Sequence, residues 1–163
     1  MRYSCTKRFP SIPFDHRAQN HDGHCARIHG HNWIIEVTFI AHERDVNGFV
    51  FDFGKCEALK KVLAAFDHAL VLNEADPHQK YLREVLEEKA LAKILTVPDC
   101  SCEGLAQWFA ETFDLLIRLQ TNGRVLVAKV TLYEDEKNSA RAELYAPFGA
   151  TEYIPDYPRT GPV

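Results

Sequence analysis

The run His24-Cys25-Ala26-Arg27-Ile28-His29-Gly30-His31, with His16 upstream, concentrates imidazole and thiol chemistry in one short stretch. It leads into Trp33-Ile34-Ile35-Glu36-Val37-Thr38-Phe39-Ile40, an apolar, β-branched segment that reads as a strand. Side chains two apart on a strand share a face, so His29 and His31 aim both rings at one point. His16, from a neighbouring segment, supplies a third imidazole. Three protein ligands with an open fourth position form the pattern of a catalytic zinc ion. Such an ion acts as a Lewis acid on a substrate oxygen or lowers the pKa of a bound water. A His-x-His pair alone fits two polar residues at a strand end equally well; His16 and the thiol of Cys25 favour the metal.

Three further groups have chemistry to offer. Cys25 stands four residues before His29. Thiolate is the reactive form of cysteine, and nearby cations favour it. Beside the metal but not bound to it, Cys25 is a candidate general base; as a fourth ligand it would close the site and make it structural. Asp67-His68 places a carboxylate next to an imidazole, which is either a proton-relay device or two surface polar residues after a helix. Glu134 ends a strand of apolar alternation. A carboxylate there can clamp a heterocyclic N–H and its exocyclic amine, although Asp135 and Glu136 beside it also fit a solvent-facing strand end.

These residues need elements to position them. Residues 3–8 read as a strand ended by Pro10 and Pro13, and residues 12–26 as a polar connection. A strand over 31–41 follows. Asn47-Gly48 is a hairpin signal, so 48–53 is expected to return antiparallel to it. Asp52 is a candidate N-cap for a helix over 55–66, with Cys56, Leu59, Leu63 and Phe66 at helical spacing. A second helix is expected over 79–95, with Leu82, Val85, Leu86 and Ile94 on one face. Ser101 caps a third, 102–119. Asn122-Gly123 turns the chain into a strand over 124–134, and a last strand covers 140–146. Strands, then helices, then strands indicate an α+β domain with an antiparallel sheet and helices on one face.

The chain has 163 residues, 46% hydrophobic and 26% charged, which suits one soluble domain with a full core. That domain is placed at 1–146. Residues 147–163, with Pro147, Pro155, Pro158 and Pro162, form an irregular extension. There is no apolar run of the roughly eighteen residues a membrane span needs, and the N-terminus lacks the apolar core of a signal peptide. Five cysteines in no disulfide-framework spacing indicate a reducing, cytoplasmic setting, with Cys100 and Cys102 as ordinary thiols. A net charge of −4 argues against a nucleic-acid partner.

Taken in order, His16, Gly23-His24-Cys25, the Cys-x-x-x-His-Gly-His core from Cys25 to His31, Asp52-Phe53, Asp67-His68, Leu72-Asn73-Glu74, Ser101-Cys102-Glu103 and Tyr133-Glu134 make a specific set. The set resembles the 6-pyruvoyl-tetrahydropterin synthase superfamily, and within it the 6-carboxytetrahydropterin synthases of the bacterial queuosine pathway. The resemblance implies a T-fold: a four-stranded antiparallel sheet with helices on one face. It also implies subunits joined at sheet edges into a barrel, as trimers that pair into hexamers, with the active site between chains. It assigns His16, His29 and His31 to zinc, Cys25 to proton removal, and Asp67 with His68 to a relay. Glu134 would anchor a pterin ring, and Ser101 and Cys102 match a pterin-contacting Thr-x-Glu segment. The substrate implied is 7,8-dihydroneopterin triphosphate, cleaved to a 6-carboxytetrahydropterin with release of acetaldehyde and triphosphate. Arg17, Arg27 and Lys55 are candidates for the triphosphate. The sequence departs from the family at Phe14-Asp15, where a small pair is usual, at Ser101 in place of threonine, and in the length of 79–95. The rival readings are triphosphate elimination without C–C cleavage, side-chain cleavage feeding folate synthesis, a zinc hydrolase, and a non-catalytic zinc-stabilised binding protein.

Overall fold

The longest strand, β3 (His29–Ala41), is the axis on which the rest is built. Its inward residues Trp33, Ile35, Val37 and Phe39 are all fully buried, as strand alternation requires. The computed structural model describes residues 1–144. Strand β1 (Tyr3–Arg8) pairs antiparallel with the C-terminal part of β3, Tyr3 opposite Ala41. Along the other edge runs β6 (Leu126–Tyr133), with a register shift between Thr38 and Phe39, and β7 (Ser139–Glu143) pairs with β6.

These four strands are antiparallel, but the expected four-stranded sheet is too small. The sheet has seven strands and is mixed. β2 (Ile12–His16) pairs antiparallel with the N-terminal part of β3, Ile12 opposite Trp33 and His16 opposite His29. β4 (Ala69–Asn73) then runs parallel to β2, and β5 (Lys93–Val97) parallel to β4.

Helix α1 (Glu57–Phe66) begins slightly later than expected, because Asp52 caps a preceding 3-10 turn instead, accepting from Gly54 N at 2.9 Å. A four-residue helix α2 (Gln79–Leu82) follows β4. Helix α3 (Cys102–Thr121) starts at its predicted cap, Ser101, whose Oγ accepts from Gly104 N at 3.0 Å. It ends at Asn122 in the left-handed conformation, φ 50°. Leu105, Phe109, Phe113 and Ile117 repeat every fourth residue along one stripe, and all are fully buried. They join Leu59, Leu63 and Phe66 of α1 and the inner faces of β3 and β6 in one core.

Three expectations are corrected. Residues 79–95 are not one helix: α2 passes into a π-helical turn at Arg83–Glu87, Ala90 takes a left-handed conformation (φ 53°), and 93–97 is β5. Residues 48–53 do not return along β3, because near Ala41 both β3 edges are taken by β1 and β6. The loop closes on Asp45 instead, whose carboxylate accepts from Asn47 N and Phe49 N, and Phe51 enters the core. The connection 12–26 begins with β2. The last strand ends at Glu143; residues 145–146 and the extension 147–163 lie outside the described residues.

No described helix is long and apolar enough to cross a membrane. All five cysteines are free thiols. One buried polar group fastens α3 to the sheet: Asp114, 8% exposed, accepts from Val127 N at 2.9 Å and from Arg118 Nε at 2.7 Å. Asp114→Ala leaves a buried strand N–H without its carboxylate and is expected to cost about 2 kcal/mol, read as a lower denaturation midpoint with unchanged m-value.

Candidate metal centre

β2 and β3 bring the three predicted histidines together. His16 lies opposite His29 in the ladder, and His31 follows on the same face of β3. Ring centroids are 4.5 Å apart for His16–His29, 5.2 Å for His16–His31 and 5.1 Å for His29–His31. One nitrogen from each lies within 4.8 Å of the other two. The next inward residue, Trp33, forms the floor: its ring centroid is 4.9 Å from both His16 and His31, and its Nε1 donates to Phe14 O at 3.0 Å. Phe14 stacks on Trp33 at 4.8 Å, which gives this bulky residue a packing role. Gly30, between the two histidines, lies opposite Asp15; a Cβ there would come within 2.1 Å of Asp15 Oδ1. The glycine gives Asp15 its place on the outer face.

Backbone carbonyls fix the tautomers. A carbonyl only accepts, so His16 Nδ1 donates to Cys100 O at 2.7 Å and His29 Nδ1 donates to Arg27 O at 2.7 Å. Each ring then presents an unprotonated Nε2. The Nε2 atoms of His16 and His31 are buried with no hydrogen-bond partner. Buried polar atoms are rarely left unpaired. Two buried ring nitrogens converging without a hydrogen-bond partner fit a bound cation, and nitrogen ligands of this type suit zinc. Burial, aided by the neighbouring rings, pushes the His16 pKa down to about 4 against the pull of its Cys100 hydrogen bond, so the ring is neutral near pH 7.

The remaining predicted residues are placed as follows. Cys25 lies in a 3-10 turn, His24–Ala26, partly exposed, with its carbonyl accepting from Ala18 N at 2.8 Å. Its sulfur is outside the three-histidine cluster. Asp67 and His68 do form a pair: His68 Nδ1 donates to Asp67 Oδ1 at 2.8 Å. The pair follows α1, with His68 in a left-handed conformation (φ 55°) and its N–H donating to Pro13 O at 2.8 Å. The pair is exposed, and His68 shares a cleft of about 320 Å³ with Asp15, Gly30, His31 and Asn32. Among the described residues no hydrogen bond joins it to Cys25.

Ser101 is occupied by capping α3. Cys102, one residue on, is buried and donates to Leu132 O at 3.6 Å. Burial first, and the nearby Glu134 carboxylate second, push its thiol up to about 12, so it is a neutral packing group beside Glu134. Glu134 is partly buried, its backbone N–H donating to Asn138 O at 3.0 Å.

Sequence reasoning missed the carbonyls of Cys100 and Arg27, which no side-chain type signals. It also missed Lys93, whose Nζ donates to Asp67 O at 2.6 Å from a strand read as helix. Trp33 was legible in the His-x-His-x-Trp alternation.

The sequence matches the 6-pyruvoyl tetrahydropterin synthase family over residues 5–144. A relative from Rickettsia typhi, named 6-carboxy-5,6,7,8-tetrahydropterin synthase, is 41% identical over 76 residues, 44% of this chain and 53% of the relative. The chain thus spans about half of that protein. A relative of the same name from Aquifex aeolicus is 33% identical over 122 residues, covering 71% of this chain and 74% of the relative. In three dimensions the 6-pyruvoyl tetrahydropterin synthase from Plasmodium vivax superposes with a TM-score of 0.63 at 17% identity, covering 87% of this chain and 97% of that one, a likeness of fold. With β1, β3, β6 and β7 forming the antiparallel part of the sheet and the family pattern running through nearly all of the described chain, this protein belongs to the 6-pyruvoyl tetrahydropterin synthase family.

Proposed function

We propose that this protein is a zinc-dependent lyase that converts 7,8-dihydroneopterin triphosphate to 6-carboxy-5,6,7,8-tetrahydropterin, with release of acetaldehyde and triphosphate, in queuosine biosynthesis. The observation that carries the reading is the convergence of three imidazoles with two buried, unpartnered Nε2 atoms, in a chain whose relatives from Rickettsia typhi and Aquifex aeolicus bear that synthase name. His16, His29 and His31 would hold the metal. Bound zinc would supply Lewis acidity toward the side-chain oxygens of the substrate and so acidify the adjacent C–H.

The other roles follow from side-chain chemistry. Cys25, outside the ligand cluster, removes the side-chain proton. The Asp67 carboxylate holds the His68 imidazole by its Nδ1–H, leaving Nε2 free to pass a proton. His68 is exposed, and the relay serves a site completed by a second chain, as the family resemblance implies. Among the described residues β7 pairs on one side, with β6, and offers the kind of strand edge through which chains could join. Glu134 clamps the pterin ring by two hydrogen bonds from the heterocycle. Glu134→Ala is expected to raise KM roughly tenfold to a hundredfold, the worth of charge-assisted hydrogen bonds, with a smaller change in kcat.

Incubation of the zinc-loaded protein with 7,8-dihydroneopterin triphosphate, with products identified by mass spectrometry and acetaldehyde assayed in parallel, tests the proposal. A carboxypterin with stoichiometric acetaldehyde is expected. A pyruvoyl product without acetaldehyde would move the protein to the elimination branch of the family, and no turnover with zinc bound would leave a metal-stabilised binding protein.

A further inference from the structure

β2, β4 and β5 run parallel, so their carboxyl ends lie together, and each is followed there by a polar group whose connections lead to one metal ligand. β2 ends in His16 and is followed by Arg17. The loop after β4 carries Asp76, and the loop after β5 carries Cys100. The contacts are reciprocal: His16 Nδ1 donates to the Cys100 carbonyl at 2.7 Å, and the Cys100 thiol donates back to the Arg17 carbonyl at 3.0 Å. The Arg17 guanidinium turns to Asp76, Nε to Oδ2 at 3.5 Å, an ion pair without a hydrogen bond between these two buried atoms, with the Asp76 side chain wholly inaccessible. Asp76 Oδ1 accepts from His78 N at 2.8 Å, which fixes the carboxylate in its loop. Arg17, a candidate for the triphosphate on sequence, thus has a buried anionic partner.

A buried carboxylate is costly without a compensating charge, and Arg17 is the cation beside it. The pair ties the residue after His16 to the β4 loop, while Cys100 ties both His16 and Arg17 to the β5 loop. The Cys100 carbonyl therefore orients the His16 imidazole directly, while the Cys100 thiol and Asp76 hold Arg17, the next residue along the chain. We propose that Asp76 and Cys100 are positioning residues of the metal centre, acting on His16 through Arg17 and the Cys100 carbonyl. The inference rests on the zinc reading above and adds the residues that orient one of its ligands.

The test is zinc affinity of the purified full-length chain by competition with a chromogenic chelator, with the visible absorption of the Co²⁺-substituted protein as a reporter of ligand geometry. Asp76→Ala and Cys100→Ala are expected to weaken zinc about tenfold to a hundredfold and to alter the Co²⁺ spectrum. Cys100→Ser, which keeps a donor for the Arg17 carbonyl, should recover affinity to within about threefold of wild type. Ile117→Val, which trims a core residue on α3, should lower Tm and leave zinc affinity unchanged. If Asp76→Ala does not fold, Asp76→Asn keeps an acceptor for His78 N while removing the charge opposite Arg17, and should still weaken zinc. Unchanged affinity and spectrum in folded Asp76 and Cys100 variants would overturn the proposal and leave these residues a purely structural role. A wild-type chain that takes up no zinc would instead overturn the metal reading, and this inference with it.

Discussion

His31→Ala is expected to abolish metal binding at micromolar zinc while leaving the fold intact. Structural zinc sites bind with roughly 10–16 kcal/mol, so one ligand of three carries on the order of 4 kcal/mol, about a thousandfold in affinity. The metal-free fold should tolerate the change, because the His31 Nε2 is a buried atom without a partner, and removing it removes an unmet hydrogen-bonding demand. The decisive measurement is the zinc-dependent rise in Tm. A ligand that binds only the folded state stabilises by RT ln(1 + [L]/Kd), about 4 kcal/mol at a thousandfold excess over Kd. Wild type should show this rise and His31→Ala should not, with matching apo Tm values. An undiminished rise in the variant would remove His31 from the metal site.

Cys25→Ala should give the opposite pattern: zinc and fold kept, turnover lost. The Cys25 backbone is held by its carbonyl and the side chain is partly exposed, so alanine disturbs little packing. The sulfur lies outside the three-histidine cluster, so zinc affinity should stay within about twofold of wild type, as for a change that touches no ligand or its hydrogen-bond partner. Loss of a positioned general base costs roughly 10²–10⁴ in rate. Steady-state kcat beside zinc affinity separates the possibilities: a fall in both would make Cys25 a ligand, and wild-type kcat would end its role as the base.

Much of this arrangement was legible in the residues. Alternation marked β3, β6 and β1, and Ser101 and Asn122 bracketed α3 with only a small shift at its end. The His-x-His spacing, read as a strand, put His29 and His31 on one face, and ladder pairing with β2 brings His16 beside them. The parallel part of the sheet was not legible. β4, Ala-Leu-Val-Leu-Asn, is short and almost wholly buried, so it lacks the alternation that betrays a half-exposed strand. β5 was absorbed into a helix because Leu82, Val85, Leu86 and Ile94 fit helical spacing by coincidence and no glycine or proline interrupts them; the break falls at Ala90, an ordinary residue in a left-handed conformation. The Asn47-Gly48 signal marked a true turn, but pairing was decided by β1 and β6, partners remote in sequence, at the edges of β3. At the site, side-chain chemistry was visible, whereas the carbonyls that set the imidazole tautomers depend on loops whose course only the fold determines.

The sharing of one face of β3 by His29, His31 and Trp33 has a consequence for how this strand can vary. The same alternation that buries Trp33, Ile35, Val37 and Phe39 also aims the two imidazoles. An insertion of one residue between His31 and Trp33 would keep the core half in place and rotate both histidines outward, toward the side where Asp15 stands. An insertion of two would restore their facing but carry them one ladder step away from His16. Length in this segment is therefore under tighter constraint than residue identity, and a metal titration of such insertion variants would read strand parity directly.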